Sequence, residues 1–139
     1  MRKVSFKKEK LVSHEQVFKE ARRYYANAKE TLKKSPVKYG AYEDSKYVRE
    51  ASAMAYLAAL RAFDGYLLKQ GWRSDKLPAS IDECFSAMQT IPHNGKLKNA
   101  LTVVYQNLHI LAYYRGGVGE KMVKEGFARA REIMDMLSS

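Results

Sequence analysis

The sequence predicts an all-α fold, an antiparallel helical bundle of four long helices plus one short helix. The first observation is the stretch from residue 47 to residue 70, which has no proline and in which residues 51–60 (ASAMAYLAAL) carry no charge. Alanine and leucine lose little free energy in a helix, so this stretch predicts a helix of about 24 residues. The second observation is that other stretches repeat apolar residues at intervals of three and four, the spacing of one helical face. The connections between them are short, which favours antiparallel neighbours.

The central stretch also predicts the arrangement of the bundle. A helix that is apolar nearly all round has to be covered by others. We therefore expect residues 51–68 to be enclosed on every side. Within them Asp64 is a candidate site residue, because a lone carboxylate in an apolar helix is costly unless it is paired. Its candidate partners are Arg61, Arg115 and a tyrosine hydroxyl, and both a structural pairing and a role in a site remain open.

Start and stop signals bound the first helix. Ser13 and Gln16 form a capping box, so this helix should begin at His14. Pro36 ends it, because proline disfavours a helical conformation in the residue before it. Residues 37–42 (VKYGAY) are predicted to be a linker.

The long second helix has its own signals. Asp44 or Ser45 is the predicted N-cap, and Gly71 is the predicted end. Trp72 follows this glycine and is predicted to fold back on the bundle end as a packing anchor.

Three further helices are predicted in the second half of the chain. Ser80 and Glu83 form another capping box, which opens a short helix from Ile81 to about Thr90. Long helices follow at about residues 96–114 and 120–137. In the first of these, apolar residues step by four, three, four and three, which predicts a heptad-like buried seam. The seam consists of Leu97, Leu101, Val104, Leu108 and Leu111.

The positive charge is concentrated near the start of the chain. The net charge is +10, and residues 1–38 contain twelve Lys and Arg against four Glu, whereas residues 39–139 contain thirteen against eleven acidic residues. We predict a basic N-terminal arm at residues 1–12 and a single helical-bundle domain at residues 13–139. Such a basic segment attracts nucleic-acid phosphates, an anionic membrane or an acidic partner, or serves only as a solubilising surface. The candidate phosphate- or anion-binding residues are Arg22, Arg23, Lys33 and Lys34.

Cysteine content and hydropathy predict a soluble protein of the cytoplasm. The single cysteine, Cys84, excludes an internal disulfide and is expected to be buried as a small apolar residue. The start of the chain has no apolar signal segment. The longest stretch without a charged residue, residues 99–114, is too short and too polar to cross a bilayer, so no membrane contact is predicted.

An aromatic cluster lies near the end of the fourth predicted helix. Tyr105, His109 and Tyr113 recur at intervals of four, which places one imidazole between two phenols on one helical face. With Tyr114 and Arg115, and with Asp64, they form our candidate functional cluster. The alternative is a helix flank whose amphipathic side chains reach water.

The sequence shows no motif for catalysis, metal binding or cofactor binding. Gly116, Gly117 and Gly119 lie between two predicted helices rather than after a strand, and no GK[ST] sequence follows them. The three histidines lie on separate elements, and no two have the spacing of metal ligands on one helix. We therefore predict no catalytic residue, no metal site and no cofactor.

Several stretches resemble known proteins. The central helix, EASAMAYLAALRAFDGYLLKQG, and the closing helices around LHILAYYRGGV resemble the HEPN domains. That resemblance implies a small bacterial helical bundle, often dimeric, associated with nucleotidyltransferases and toxin systems. The chain also resembles a family of small uncharacterised bacterial helical-bundle proteins through ARRYYANAKETL, KYVREASAMAYLAAL and YYRG. This second resemblance covers most of residues 14–137 and implies no established activity.

The HEPN resemblance does not extend to a ribonuclease site. Ribonuclease members of that group carry an Arg a few residues ahead of a His. Here Thr102, Val103 and Val104 stand at the corresponding positions ahead of His109, and Arg115 follows it. Ribonuclease activity is therefore not transferred to this chain.

Two hypotheses about function follow. In the first, which we prefer, the chain is a non-catalytic helical bundle that works by binding or regulation as a homodimer. In the second, it is a HEPN-type nucleic-acid- or nucleotide-acting protein, either a ribonuclease toxin or the partner of a nucleotidyltransferase. The second hypothesis uses the basic first helix for phosphates and the region of His109 and Arg115 for the substrate.

Overall fold

Helices alternate with short connections through residues 13–138, the part of the chain that the computed structural model describes. The α-helices are α1 (His14–Leu32), α2 (Ser45–Lys69), α3 (Ile81–Met88), α4 (Gly95–Val104) and α5 (Glu120–Leu137). Between α1 and α2 lie the strands β1 (Val37–Lys38) and β2 (Ala41–Tyr42), and a 3₁₀ turn (Ser74–Lys76) precedes α3. A π-helical segment (Tyr105–Tyr114) continues α4. The predicted all-α bundle of four long helices and one short helix is confirmed, whereas the basic arm predicted at residues 1–12 lies outside the described residues.

The ends of the first two helices follow the sequence signals. Oγ of Ser13 accepts a hydrogen bond from the backbone N–H of Gln16 at 3.1 Å, and the side chain of Gln16 accepts one from the backbone of Ser13 at 3.4 Å. Asp44, rather than Ser45, caps α2 by accepting from the backbone N–H of Lys46 at 3.0 Å. Gly71 follows α2 with a φ of 99°, a conformation that suits glycine at a helix end.

A β-hairpin joins α1 to α2 where we predicted a linker. The two strands pair antiparallel, with Val37 opposite Tyr42. Tyr39 and Gly40 at the turn have φ values of 54° and 75°, as a two-residue hairpin turn of type I′ requires. Strands of two residues are too short to show an alternating pattern, so the sequence analysis missed them.

Helices α1 and α2 run antiparallel and approach closely. Arg61 on α2 pairs with Glu20 on α1, and Gly65, further along α2, packs against Phe18, which lies earlier on α1. A Cβ atom at Gly65 would lie 2.8 Å from Cε1 of the Phe18 ring. Glycine at this position therefore sets the distance between the two helices.

The core is built on the small side chains of α2. Five alanines of this helix are fully or almost fully buried, together with Phe63 and Leu67. Helices α1 and α5 and the π segment pack around them. The buried alanines are Ala51, Ala55, Ala58, Ala59 and Ala62.

One side of α2 stays uncovered, so the expectation that residues 51–68 are enclosed on every side is wrong. Leu57 is 46% exposed, and Ala53 and Leu60, one helical turn before and after it, are only partly buried. Helix α1 and the π segment cover α2 on its flanks and leave this stripe between them. Average composition predicts how much of a helix is apolar, but it does not show where a neighbouring helix is missing.

Helix α3 closes one end of the bundle. Oγ of Ser80 accepts from the backbone N–H of Glu83 at 3.1 Å, as the capping box predicts. The helix ends at Met88, two residues before the predicted end. Cys84 is buried on α3 as expected, and Trp72 packs against the core as predicted.

The π segment shifts the predicted seam by one residue. The first four seam positions, up to Leu108, are buried, but Ala112 takes the fifth place and Leu111 is 42% exposed. In a π-helix each N–H bonds to the carbonyl five residues earlier, so a turn uses more residues than an α-turn. The bond from the N–H of Arg115 to the carbonyl oxygen of Ile110, at 2.9 Å, shows this pattern. The prediction for Leu111 is wrong because it assumed α-helical spacing throughout.

Contacts with α5 hold the π segment in place. A Cβ atom at Gly126 would lie 2.5 Å from Cδ2 and 2.7 Å from Cγ of Leu108, so the two helices meet where α5 has no side chain. Nδ2 of Asn107 donates to the carbonyl oxygen of Met122 at 2.9 Å. The position of the π segment therefore depends on Gly126 and Asn107.

We expect Gly126→Ala to lower the free energy of unfolding by about 1–2 kcal/mol. Overpacking against Leu108 destabilises the fold by about 1–3 kcal/mol, and the better helix propensity of alanine offsets about 0.5–1 kcal/mol of this loss. Urea denaturation followed by circular dichroism measures the change. The control is Gly95→Ala, because a Cβ atom at Gly95 meets nothing within 4 Å. Equal stability of the two variants would contradict the close packing of α5 on the π segment.

Candidate functional site

The π segment stacks the three predicted aromatic residues on one face. The ring centroids of Tyr105 and His109 are 5.5 Å apart, and those of His109 and Tyr113 are 5.9 Å apart with an interplanar angle of 14°. The predicted position of one imidazole between two phenols is confirmed.

A fourth ring, from α2, completes the cluster. Tyr56 stacks on His109 with a centroid distance of 4.7 Å and an interplanar angle of 20°, and it lies 6.2 Å from Tyr105. Burial, followed by the nearby Cys84 and Tyr105, raises the pKa of Tyr56 to about 12, so its phenol stays neutral. The sequence analysis missed Tyr56 because the contact joins residues of two different helices.

We call the surface around this cluster the aromatic face. It combines the stacked rings with the uncovered stripe of α2, to which Tyr56 is adjacent. Leu57 and Tyr113 are its most exposed members, at 46% and 44%. The aromatic face consists of Ala53, Tyr56, Leu57, Leu60, Tyr105, His109 and Tyr113.

The end of the π segment is capped by a residue that the sequence analysis did not consider. Nη1 of Arg49 on α2 donates to the carbonyl oxygens of Tyr113 at 3.0 Å and Tyr114 at 3.4 Å. These carbonyls would otherwise lack a partner at the helix end. Arg115 lies over the ring of Tyr114, with 5.4 Å between its guanidinium carbon and the ring centroid. The two arginines thus have different roles, since Arg49 caps the segment and Arg115 covers an exposed ring.

Asp64 belongs to an ion-pair network between α1 and α2. Nη1 of Arg61 lies 2.9 Å from Oδ2 of Asp64, and Nε of Arg61 lies 2.6 Å from Oε1 of Glu20. Arg61 is therefore the partner among the three candidates. Burial raises the pKa of Asp64, and the hydrogen bond from Arg61 opposes this effect. The ion pair with Arg61 thus offsets part of the cost of burying the charged carboxylate of Asp64.

The predicted functional cluster divides into two separate groups. Asp64 is eight residues from Tyr56 on α2, which corresponds to about 12 Å along the helix. Among the described residues, the side-chain contacts of His109 are with aromatic rings, and no carboxylate orients its imidazole. This arrangement suits stacking and packing, and it lacks the oriented base of a general acid–base site.

The four predicted anion-binding residues form two consecutive pairs, Arg22 and Arg23 on α1 and Lys33 and Lys34 directly after its C-terminal end. Arg22 lies near the C-terminal end of α5, beside Ser138. Arg23 lies beside Glu20, on another side of α1. Lys33 borders a groove between α1 and α5, and Lys34 lies over the ring of Tyr47 at 5.7 Å. The structure thus does not gather them into a single phosphate site.

Two features are absent from residues 13–138, a metal-binding cluster and a helix that could span a membrane. No group of three or more His, Cys, Asp and Glu side chains in this part of the chain is placed to hold a metal ion. None of the described helices has the length and hydropathy of a membrane span.

The fold and the aromatic face define a class of protein, an all-α bundle with an uncharged, partly exposed face. The chain belongs to the family described as Domain of unknown function (DUF5618), which matches residues 16–139.

A solved structure has the same fold. The chain is similar to a protein of unknown function from Dyadobacter fermentans, with 35% sequence identity and a TM-score of 0.76. The match covers 91% of this chain and 97% of that chain. A search of the curated proteins finds no match. Membership of an uncharacterised family is therefore confirmed, whereas neither finding names a HEPN domain, and that affiliation stays a prediction.

We expect Arg61→Met to lower the free energy of unfolding by about 1–3 kcal/mol at neutral pH, because it leaves Asp64 partly buried without a counterion. Asp64→Asn should cost less, since a neutral amide needs no cation. Loss of Arg61 raises the pKa of Asp64 further, so the penalty should shrink as the pH falls towards about 4 and Asp64 takes up a proton.

Urea denaturation at both pH values measures these changes. Arg129→Met is the matched control, because it removes a more exposed pair with Glu132 on a single helix and should cost at most about 1 kcal/mol. A penalty for Arg61→Met that is independent of pH would contradict the role assigned to Asp64.

Proposed function

We propose that the protein is a non-catalytic binding or regulatory protein that forms a homodimer through the aromatic face. The observation that carries this proposal is the continuity of an uncharged, partly exposed surface over α2 and the π segment. Leu57 is a near neighbour of Ala53 and Leu60 by helical spacing. Tyr56, next to Leu57 in the chain, connects this stripe to the rings of the π segment by stacking on His109.

The chemistry of the aromatic face suits a protein partner. Soluble proteins rarely leave a continuous apolar surface bare, and such surfaces with a charged border mark interaction sites. By helical spacing, Arg49, Glu50, Arg61 and Asp64 border the face on α2. Tyrosines are enriched at the centres of interfaces because they bring a large contact area together with a polar group.

A second copy of the chain is the simplest partner for this face. In a two-fold dimer each residue of the face is used twice, so one small apolar surface gives two equivalent sets of contacts. Burying the exposed part of Leu57 contributes about 1 kcal/mol per copy by apolar area alone. The stacked rings are held by four mutual contacts, so little conformational freedom remains to be lost on association.

We expect the protein to have twice its chain mass of 15.9 kDa in light scattering at micromolar concentration. Leu57→Glu should give the monomer, because a carboxylate at the centre of the dimer contact would be buried without a partner. Leu111→Glu is the matched control, since Leu111 is 42% exposed and does not belong to the aromatic face. It lies two residues from both His109 and Tyr113, a spacing at which helical residues point to different sides.

Two results would contradict dimerisation through the aromatic face. One is a monomeric wild-type protein, and the other is loss of the dimer in Leu111→Glu but not in Leu57→Glu. Circular dichroism of each variant checks that the helical content is unchanged.

A second candidate function is that of a HEPN-type nucleic-acid- or nucleotide-acting protein, either a ribonuclease toxin or a nucleotidyltransferase partner. Its support is the excess of positive charge in residues 1–38 and the resemblance of the central helix. In this case phosphates would bind the exposed cations of α1 and its C-terminal end, and the substrate would lie near His109 and Arg115. The cations are Arg22, Arg23, Lys33 and Lys34.

Fluorescence anisotropy with a single-stranded RNA tests this second candidate. Four phosphate contacts to a single strand predict a loss of affinity of about 50-fold between about 50 and 200 mM salt. RNA cleavage by the wild-type protein that His109→Ala abolishes would favour it over the non-catalytic proposal. Undetectable binding at low salt would remove it.

A further inference from the structure

A groove of about 560 Å³ lies between α1, the hairpin and α5, and it shares no residue with the aromatic face. We propose that this groove binds a free amphipathic anion, a medium-length aliphatic chain with a carboxylate head. Its floor is apolar and consists of Tyr25, Leu32, Val37, Tyr42 and Phe127. Four cations line it as well, namely Lys29, Lys33, Lys124 and Arg131, and none of the described acidic residues does.

The lining cations leave positive charge for a ligand. Three of them have an acidic neighbour outside the groove lining, whereas Lys29 has no carboxylate partner among residues 13–138 and lies 6.0 Å from the centroid of the Tyr25 ring. The Lys29 ammonium is therefore the best-placed group to bind a carboxylate head. The three ion pairs join Lys124 to Glu120 at 2.7 Å, Lys33 to Glu30 at 3.7 Å and Arg131 to Asp135 at 3.8 Å.

Two of the three hydroxyl groups that line the groove, those of Tyr25 and Ser35 but not that of Tyr42, already form hydrogen bonds within residues 13–138. The hydroxyl of Tyr25 donates to the carbonyl oxygen of Phe127 at 3.1 Å. Oγ of Ser35 accepts from the backbone N–H of Asp44 at 2.9 Å and donates to the carbonyl oxygen of Pro36 at 3.3 Å. A sugar or a nucleobase would lose more hydrogen bonds to water than the remaining hydroxyl could replace, so an aliphatic body is favoured.

The dimensions suit a chain of medium length. The groove follows α1 from Tyr25 to Lys33, eight residues or about 12 Å. Its volume lies within the range of about 300–1,000 Å³ that is typical of small-molecule sites. Val37, at 43% exposure, leaves apolar surface for the chain to cover.

Charge excludes two other occupants. Residues 1–12 contain five Lys and Arg against one Glu, so this segment has the same sign as the groove lining. A second copy of the chain, with a net charge of +10, brings no general excess of negative charge either. Complementarity therefore favours an anionic ligand from outside the chain.

The test uses the full chain and dodecanoate, below its micellar concentration, in isothermal titration calorimetry. We expect one dodecanoate per chain, and binding of dodecyltrimethylammonium that is weaker by at least about tenfold. The two probes share the same aliphatic chain and differ in the charge of the head. The comparison therefore isolates the contribution of the lining cations.

Two pairs of variants locate the site. Lys29→Glu should weaken dodecanoate binding by about tenfold or more, whereas Lys121→Glu, an equal charge change on α5 outside the groove, should not. Ala128→Trp fills the groove from an exposed position without removing a charge and should abolish binding. Ala26→Trp, at an exposed alanine of α1 outside the lining, is its control. Thermal unfolding of all four variants confirms that they fold.

Several outcomes would overturn the proposal. They are unchanged dodecanoate binding in Ala128→Trp, equal binding of the cationic probe, and no dodecanoate binding at all. Binding only to phosphatidylglycerol vesicles would indicate a membrane surface instead, and binding only to an acidic amphipathic peptide would indicate a protein partner. The proposal does not depend on the homodimer, because Leu57→Glu leaves the groove unchanged and should bind dodecanoate as the wild type does.

Discussion

The close packing of helices on the small side chains of α2 is the constraint on which the rest of the structure depends. Five buried alanines and Gly65 bring α1, α5 and the π segment close to the axis of α2. Gly126 likewise lets α5 approach the π segment closely, because it has no side chain at their contact. Because the packing is this close, the side chains that line the surfaces between helices have little room to move. Both proposed binding surfaces therefore have fixed shapes.

Most of the fold could be predicted from the sequence, because local signals at the helix ends agree with the apolar spacing. The capping box at Ser13, the N-cap at Asp44 and the left-handed Gly71 each depend only on residues close in the chain. The same holds for the stacking of His109 between two tyrosines, which is a consequence of spacing on one helix. Arg61 was also among the predicted partners of Asp64, because the two residues lie one helical turn apart.

What the sequence did not reveal depends on contacts between distant residues or on backbone geometry. Tyr56 joins the aromatic cluster from another helix, and Arg49 reaches the end of the π segment from α2. The groove brings together cations of α1 and α5 that are almost one hundred residues apart. The uncovered stripe of α2 and the shift from Leu111 to Ala112 arise from where the neighbouring helices lie and from a wider helical turn, neither of which the apolar pattern contains.

The π segment acts as an insertion of one residue into a regular heptad sequence. Deleting a single residue between Leu108 and Ala112 would return the chain to α-helical periodicity and keep Ala112 in the core, because Ala112 would then lie three residues after Leu108. The same deletion would leave Tyr113 three residues after His109 instead of four. The spacing of the stacked rings in the surface that we assign to self-association therefore depends on one surplus residue, and a length change there would alter it while leaving a well-packed bundle.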